Sequence, residues 1–311
     1  MSLVLRHPAD PGRQLAEAVE AHVREAVTVL DDATSERVPI DPSVHDARRT
    51  LKRARALLRM AASDGGTARV ADPVTPIARA LRNAGRRLAG ARDRAARVEA
   101  LDRLLAAGMR PSDLLLEIRA RLARREPPDP RPVMAAVAAA LGVEAVHASA
   151  LHLEDRGFDT FAAGLAVIHR RGRKALARID PHRPAARACH RLRQRAKDLR
   201  HALGFLEPLW PPVLGAWHSE THRLTDELGE ANDLTLVLAE LEDEPFSAAA
   251  ALLSEERSLR WSAALPLARR VWSATDRSFV AALRQLWIAW EADHGIGTMP
   301  LVGWPRAPRS S

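Results

Sequence analysis

The chain has 311 residues and a mass of 34.1 kDa, with 47% hydrophobic residues; this excludes a disordered chain and allows one large or two small cores. Lysine and arginine number 47 against 39 acids, a net charge of +8 and a pI near 10.9, which favours a polyanionic partner. A single cysteine, Cys189, excludes an internal disulfide and a cysteine-rich zinc site, and the first residues (Asp10, Glu17, Glu20, Glu25) hold no apolar run of a signal peptide. No membrane span is visible, so a cytoplasmic location without membrane association is the default expectation.

Residues 1 to 9 read as a loose leader. Asp10-Pro11 reads as N-cap and first helical position, and Leu15, Ala18, Val19, Val23, Ala26 and Leu30 keep helical spacing to about Glu36. Asp41-Pro42 repeats the start signal and opens a second helix, closed by Ser63-Asp-Gly-Gly66. At 100° per residue this helix splits into two faces. His45, Arg48, Arg49, Lys52, Arg55 and Arg59 fall on one side, and Val44, Ala47, Leu51, Ala54, Leu57 and Leu58 on the other. A merely solvated face mixes signs to gain i,i+4 pairs. Here Asp46 is the one carboxylate, so the like charges repel and the face costs stability unless an anion lies on it.

Pro73 and Pro76 precede a long helix to about Ala107. Its Arg79, Arg82 and Arg86 form a stripe that faces the same anion or is simply solvated. Gly108 and Pro111 introduce a fourth helix to Arg125, and the run from Arg124 to Pro132 (RREPPDPRP) marks the boundary between a first bundle at 10–126 and a second at 133–293. Val133 to Leu141 is a short helix. Phe158 to Ile179 carries His169, Arg170, Arg171, Arg173 and Lys174. Pro181 and Pro184 lead into a second basic helix that stops before Pro208. Pro211-Pro212 start a helix through Glu242 with His218 and His222, and Phe246 to Val271 and Thr275 to Asp293 complete the set. Trp287 and Trp290, beside Phe279 and Leu283, read as core rather than as a base-stacking platform. Gly295 ends the last helix, and 294–311 reads as a disordered tail. No stretch alternates with period two, so the fold class is all-α.

The two basic helices are copies of one pattern. CHRLRQRAKDLRHALGFL, from Cys189, matches VHDARRTLKRARALLR at an offset of 145, which places His45 on His190, Arg48 on Arg193, Lys52 on Lys197 and Arg55 on Arg200. The apolar positions follow: Ala47 on Leu192, Leu51 on Ala196, Ala54 on Leu199, Leu58 on Leu203. Leu88-Ala-Gly-Ala-Arg-Asp93 resembles Leu228-Gly-Glu-Ala-Asn-Asp233 at an offset of 140, and His22 and His169 form a third pair at 147. Such repetition implies two related halves, each presenting one basic helix.

Residues four apart on a helix rise about 6 Å, so rows of Arg and Lys can follow a linear chain of phosphates. Arg offers a planar fork, Lys a compact charge and His a titratable donor. His45 and His190 sit among cations that lower their pKa, and a bound polyanion raises it, so these two are expected to make binding pH-dependent. A metal held by His45, His190, His222, Asp93 and Asp233 is the sharper rival, but the surrounding arginines disfavour a cation, and neither metal nor cofactor is expected. Asp93 and Asp233 orient motif arginines through ion pairs or bond to helix caps. There is no P-loop, no carboxylate cluster, no G-x-S-x-G and no H-E-x-x-H, so catalysis is not expected.

H-x-x-R-x-x-x-[KR]-x-x-R, followed by a helix with an R-D or N-D pair and then the same order again, resembles the CHAD domain, the conserved histidine α-helical domain, over roughly residues 10 to 292. The resemblance implies a tandem of two antiparallel four-helix bundles about a pseudo-two-fold axis. It also implies a basic central surface that binds inorganic polyphosphate, with some members associating with polyphosphate granules. Many relatives are fused to a triphosphate-handling CYTH domain, and no such β-rich segment is seen here. His201 stands where the family has Tyr, and Gly204 where it has Glu. The phosphate-binding set expected is therefore His45, Arg48, Arg49, Lys52, Arg55, Arg59, Arg82, Arg86, His169, Arg173, His190, Arg193, Lys197, Arg200, His201 and His222. Partners in view are polyphosphate and the enzymes that metabolise it. The alternatives are a nucleic-acid-binding protein, disfavoured by few aromatics on the basic faces, and a subunit or enzyme of polyphosphate metabolism.

Overall fold

The protein is described by a computed structural model at residues 3–61, 73–106, 108, 112–124, 129–181, 184–239, 241 and 247–296, with side chains at the same positions except 90–96, 112, 114, 124, 247 and 248. The described residues form eleven α-helices, one 3-10 turn and no strand; one isolated bridge joins Arg156 and Phe158. The fold is all-α. The expected stop at Ser63–Gly66, most of the proline-rich linker and the tail beyond Ile296 lie outside the described residues.

Helix α1 (Pro11–Thr34) turns through a short connection into α2 (Ile40–Ala61), the first basic helix, and the two pack along their length. Asp10 does not cap α1. It sits at φ 53°, makes no side-chain cap, and pairs with Arg13 at 3.0 Å, so the helix starts on Pro11 alone. The long helix expected over 74–107 is two, α3 (Val74–Arg87) and α4 (Ala89–Ala106). They break at Leu88, whose side chain is fully buried; α3 packs on α2, and α4 on α5 (Ser112–Arg124). The break allows one segment to serve two packing directions.

Helix α6 (Arg131–Ser149) runs well past the expected end at Leu141. Gly142 does not stop it, because Ala145 and Ala148 continue the buried stripe begun by Met134, Val137, Ala138 and Leu141. That stripe packs on α1 and α3, which precede the proline-rich segment in the chain. At a mean hydropathy of 1.4, α6 is long and apolar enough by length and composition to cross a bilayer, a feature the sequence reading passed over.

In the second half, α7 (Asp159–Leu176) lies against α2 and leads to α8 (Ala186–Leu206), the second basic helix. A 3-10 turn at Glu207–Leu209 then turns the chain into α9 (Pro211–Ala239), followed by α10 (Ser247–Val271) and α11 (Asp276–Asp293). Thr275 caps α11 by accepting from the Ser278 backbone N–H at 3.1 Å. Gly295, at φ +70°, ends it as expected. Trp287 and Trp290 are buried core, again as expected.

Two apolar cores hold these helices. The larger one joins α1, α2, α3, α6, α7, α8, α11 and parts of α9 and α10. A smaller one packs Leu101 and Leu104 of α4 and Leu115 and Ile118 of α5 against Leu234 and Val237 of α9 and Leu253 of α10. Both draw on residues from before and after the proline-rich segment. The apolar sides of α2 and α8 are thus consumed by the core, and their cationic sides are turned to a shared space between them.

The α2–α7 crossing depends on Gly164. A Cβ there would lie 2.1 Å from the Met60 carbonyl oxygen, backbone that cannot swing aside. Gly164→Ala is expected to cost about 3 kcal/mol or more. Gly142→Ala, where nothing lies within 4 Å, is expected to stabilise by about 0.5–1 kcal/mol through helix propensity. Urea midpoints of the two variants measure both.

Candidate functional site

Helices α2 and α8 pack against each other, and beside the crossing is a trough of about 710 Å³. From α2 it takes Arg48, Lys52, Arg55 and Arg59, from α3 Arg82 and Arg86, from α7 Arg171, and from α8 Arg195 and Lys197. One carboxylate, Asp198, faces these nine cations. No aromatic side chain other than His190 and His201 lines the space.

Asp198 is the electrostatic hinge of the trough. It is 8% exposed, accepts from Arg59 of α2 at 2.9 Å on one oxygen, and from Arg195 of its own helix at 2.9 Å on the other. One acid thereby ties the two basic helices together. Arg59 also donates to the Arg55 carbonyl at 3.1 Å. Arg48 donates to the Gly85 carbonyl at 2.7 Å, fastening a motif arginine to the C-terminal turn of α3, where the helix dipole favours a cation.

The crowding moves titrations. Burial pushes the Arg55 guanidinium down to about 10, helped by Arg59, Arg82 and Arg86 and opposed by Asp198. Burial pushes Lys197 much further for a lysine, to about 7, helped by Arg193, Lys52 and Arg200 and opposed by Asp233. His201 lies between this trough and a small cavity of about 80 Å³ that it shares with His22, His218, Arg53 and Arg200. Burial holds it well below the usual histidine range, with Arg200, Arg53, Lys197 and His22 adding to the effect. His201 is therefore neutral and adds no charge to the trough.

The repeated L-G-x-A-x-D strip has a physical role in the second half. Gly229 leaves room for the Arg193 guanidinium, whose Nη2 lies 3.2 Å from where a Cβ would sit. Asn232 accepts from His190 Nδ1 at 3.0 Å, and Gln194 donates to His190 Nε2 at 2.8 Å. The strip on α9 is thus the seat for the first turns of α8. Asp233 pairs with Arg103 of α4, outside the repeated motif, at 2.9 Å, and its charge opposes the effect of burial on Arg193. The side chain of Asp93, the equivalent expectation in the first half, lies outside the described residues.

Not every expected phosphate ligand reaches the trough. Arg48, Lys52, Arg55, Arg59, Arg82, Arg86, His190, Lys197 and His201 line it. Arg49 does not; it pairs with Asp46 at 3.0 Å one turn back. His45 is exposed at the outer end of α2. Arg193 is half-buried with its guanidinium at Gly229 of α9, and Arg200 donates to Thr225 at 3.3 Å in the small cavity. His222 pairs with Asp226 at 2.7 Å, and Arg173 lies 3.6 Å from Asp276 of α11. His169 is fully buried, stacked on Phe279 at 4.3 Å, and neither ring nitrogen has a partner. It is a core residue, and burial takes its pKa down to about 4, helped by Arg173 and opposed by Asp276. Sequence reasoning missed Gln194, Arg195, Asp198 and, as a trough residue, Arg171. Asp198 carried a signal, being the lone acid in the cationic run of α8.

Cys189 is buried, with its thiol pushed up to about 12, in keeping with a small apolar side chain rather than a reactive thiol. Among the described residues no three His, Cys, Asp or Glu side chains are placed to hold a metal ion.

The family model described as the CHAD domain matches residues 13–242. No curated protein matches the chain. Among solved structures, the crystal structure of the CHAD domain from the plant Ricinus communis is similar at 21% identity and a TM-score of 0.47, over 93% of this chain and 95% of that one.

The burial of His169 predicts an acid limb in stability. The unfolded ring binds its proton near pH 6.5 and the folded one near 4, so the unfolded state holds more protons between these values. Stability is full above pH 6.5 and falls as pH drops toward 4. His22, His201 and His218, also lowered by burial, act in the same direction. His169→Leu removes an unpartnered buried ring and is expected to be within about 1 kcal/mol of wild type at pH 7, or more stable. It should lose less stability than wild type between pH 7 and pH 5 in urea titrations. An unchanged loss would contradict the assignment of His169 to the core.

Proposed function

The chain belongs to the CHAD domain family, and on that footing we propose that the trough between α2 and α8 binds inorganic polyphosphate. The observation that carries the reading is nine cationic side chains, contributed by four helices, against one acid around a single space. Such a surface neutralises a chain of phosphates without reading any sequence, since arginine forks and the Lys52 ammonium offer only donors. We also propose that the repeated halves form a tandem of two four-helix bundles about a pseudo-two-fold axis, with α2 and α8 as the related pair at its centre. The reading is of a binding protein, able to associate with polyphosphate granules in the cytoplasm. A role beside an enzyme of polyphosphate metabolism is compatible with it.

Nucleic acid is the second reading, because phosphate recognition is shared. Its bases would need stacking partners, and the trough holds no Trp, Phe or Tyr. Long-chain polyphosphate should therefore bind more tightly than RNA or duplex DNA at equal phosphate concentration and fixed salt. Displacement of polyphosphate by RNA at equal or lower phosphate would favour nucleic acid instead.

The site itself is tested by charge removal. Arg48→Ala, Lys52→Ala and Arg55→Ala together should weaken polyphosphate binding by roughly 100-fold near 0.1 M salt and lower the slope of log affinity against log salt by about 2. Arg24→Ala, Arg37→Ala and Arg223→Ala together, each paired with a nearby acid away from the trough, should change affinity by about twofold or less. Equal losses from both triple variants would mean general charge and no defined site.

A further inference from the structure

The proposed polyphosphate site leaves a second space unused, the small cavity of about 80 Å³ beside the trough. His22 of α1, Arg53 of α2, Arg200 and His201 of α8 and His218 of α9 line it, and no carboxylate does. Leu3, Leu57 and Phe205 give it apolar walls. The segment ahead of α1 is held against it: the Leu5 side chain is fully buried, and the Leu5 N–H donates to the Phe205 carbonyl at 2.9 Å. The space suits an ion of a few atoms. An extended chain of phosphates or a nucleotide does not fit it.

Two kinds of polar group meet there. The Arg53 and Arg200 guanidinium groups only donate. Arg200 Nη1 donates to Thr225 at 3.3 Å, and its buried Nε–H meets no acceptor among the described residues. Such an unmet donor costs free energy that the oxygen of an anion would recover. The imidazoles are different. Nδ1 of His22 lies 3.3 Å from Glu25, and Nδ1 of His218 lies 3.5 Å from Glu207. A carboxylate at Nδ1 fixes the ring proton there and leaves Nε2 with its lone pair. Nε2 of His218 is 3.3 Å from where a Cβ on Gly204, itself a wall residue, would sit. Burial lowers both rings below the usual histidine range against the pull of Glu25 and Glu207, and Arg53 at His22 and Arg200 and His222 at His218 add to it. Both rings are therefore neutral near pH 8. Fixed cationic donors and neutral acceptors share one small enclosure.

We propose that this cavity is a site for a single hydrogen phosphate ion, separate from the trough and selective against sulfate. The guanidinium N–H groups take the unprotonated oxygens. The P–O–H donates to an imidazole Nε2, so one proton sits between ligand and ring. Sulfate has the same tetrahedral shape and the same double charge but carries no proton near neutrality. Seated here, it sets an oxygen against a nitrogen lone pair, or draws a proton from solvent against the burial of the ring. A site built around a hydrogen bond rejects an analogue that cannot make it. The proposal stands on the residues of the cavity and does not depend on what the trough binds.

The test follows the imidazole signals of His22 and His218 in the full chain by NMR at pH 8 and constant ionic strength, assigned with His22→Gln and His218→Gln. Orthophosphate should move both signals along one saturable curve, while exposed His147 of α6 stays in place. Sulfate should need at least about 10-fold higher concentration for the same shift. Arg53→Gln should weaken the orthophosphate response at least about 10-fold and change long-chain polyphosphate affinity by about threefold or less. Signals that orthophosphate leaves in place, that move only in parallel with His147, or that sulfate moves at the same concentration overturn the proposal. If orthophosphate moves them and long-chain polyphosphate does not bind the protein, the cavity site stands and the polyphosphate reading of the trough falls.

Discussion

Repulsion among the cations where α2 meets α8 is the constraint on which this structure turns. Neither helix can neutralise its own face; α2 offers Asp41 in its first turn and Asp46, which is spent on Arg49. The fold brings the two faces together and places one buried acid, Asp198, between Arg59 and Arg195. A buried acid with two arginine partners is satisfied on both oxygens, and removing it would leave two guanidinium groups unopposed. The remaining excess of positive charge stays in the trough and is what a polyanion can relieve. Stability and binding are thereby coupled: a ligand that supplies negative charge stabilises the folded state by mass action.

The packing around the trough explains why its cations cannot drift apart to lower their repulsion. α2 is held by α1, α3 and α7, and α8 by α7 and α9. Gly164 lets α7 reach the α2 backbone, Gly229 admits the Arg193 guanidinium, and Gly204 leaves space for His218, whose Nε2 is 3.3 Å from where a Cβ would sit. At this last site His218 fills the room, with Glu207 at 3.5 Å behind it. The leucine and alanine stripes of both basic helices are fully engaged in the larger core, so the cationic faces are presented rigidly.

What the sequence disclosed and what it withheld follow from the range of the interactions. Helix identity, the amphipathic split of α2 and the repeat at His190, Arg193, Lys197 and Arg200 depend on residues within a few turns, and pattern reading reaches them. The break at Leu88 and the extra turns of α6 come from tertiary packing, which propensity does not carry. A wheel also treats all residues on one face as equivalent. Arg49, Arg193 and Arg200 share the cationic faces but are claimed by Asp46, α9 and Thr225. Arg195 and Asp198 stand where the first half has Thr50 and Arg53, so a search for repeats passes over them. His169 repeats His22 in register, yet its ring is stacked in the core on Phe279. The sequence placed the titrating groups at His45 and His190; Lys197 was not among them, and its shift to about 7 comes from burial, which a helical wheel does not show, with the field of its neighbours added.

Lys197 lines the trough proposed to hold polyphosphate, and the affinity of long-chain polyphosphate between pH 7 and pH 9 tests that proposal most directly. Free Lys197 loses its proton near pH 7, and a bound polyanion raises that value. Below pH 7 the amine is charged in both states and contributes no slope. Above it, binding takes up a proton, and affinity falls with rising pH by up to about tenfold per unit until the bound value is reached. Lys197→Arg remains charged throughout and should bind with nearly constant affinity over the range. A wild type whose affinity is flat from pH 7 to pH 9, or a Lys197→Arg protein that loses affinity just as steeply, would contradict the account.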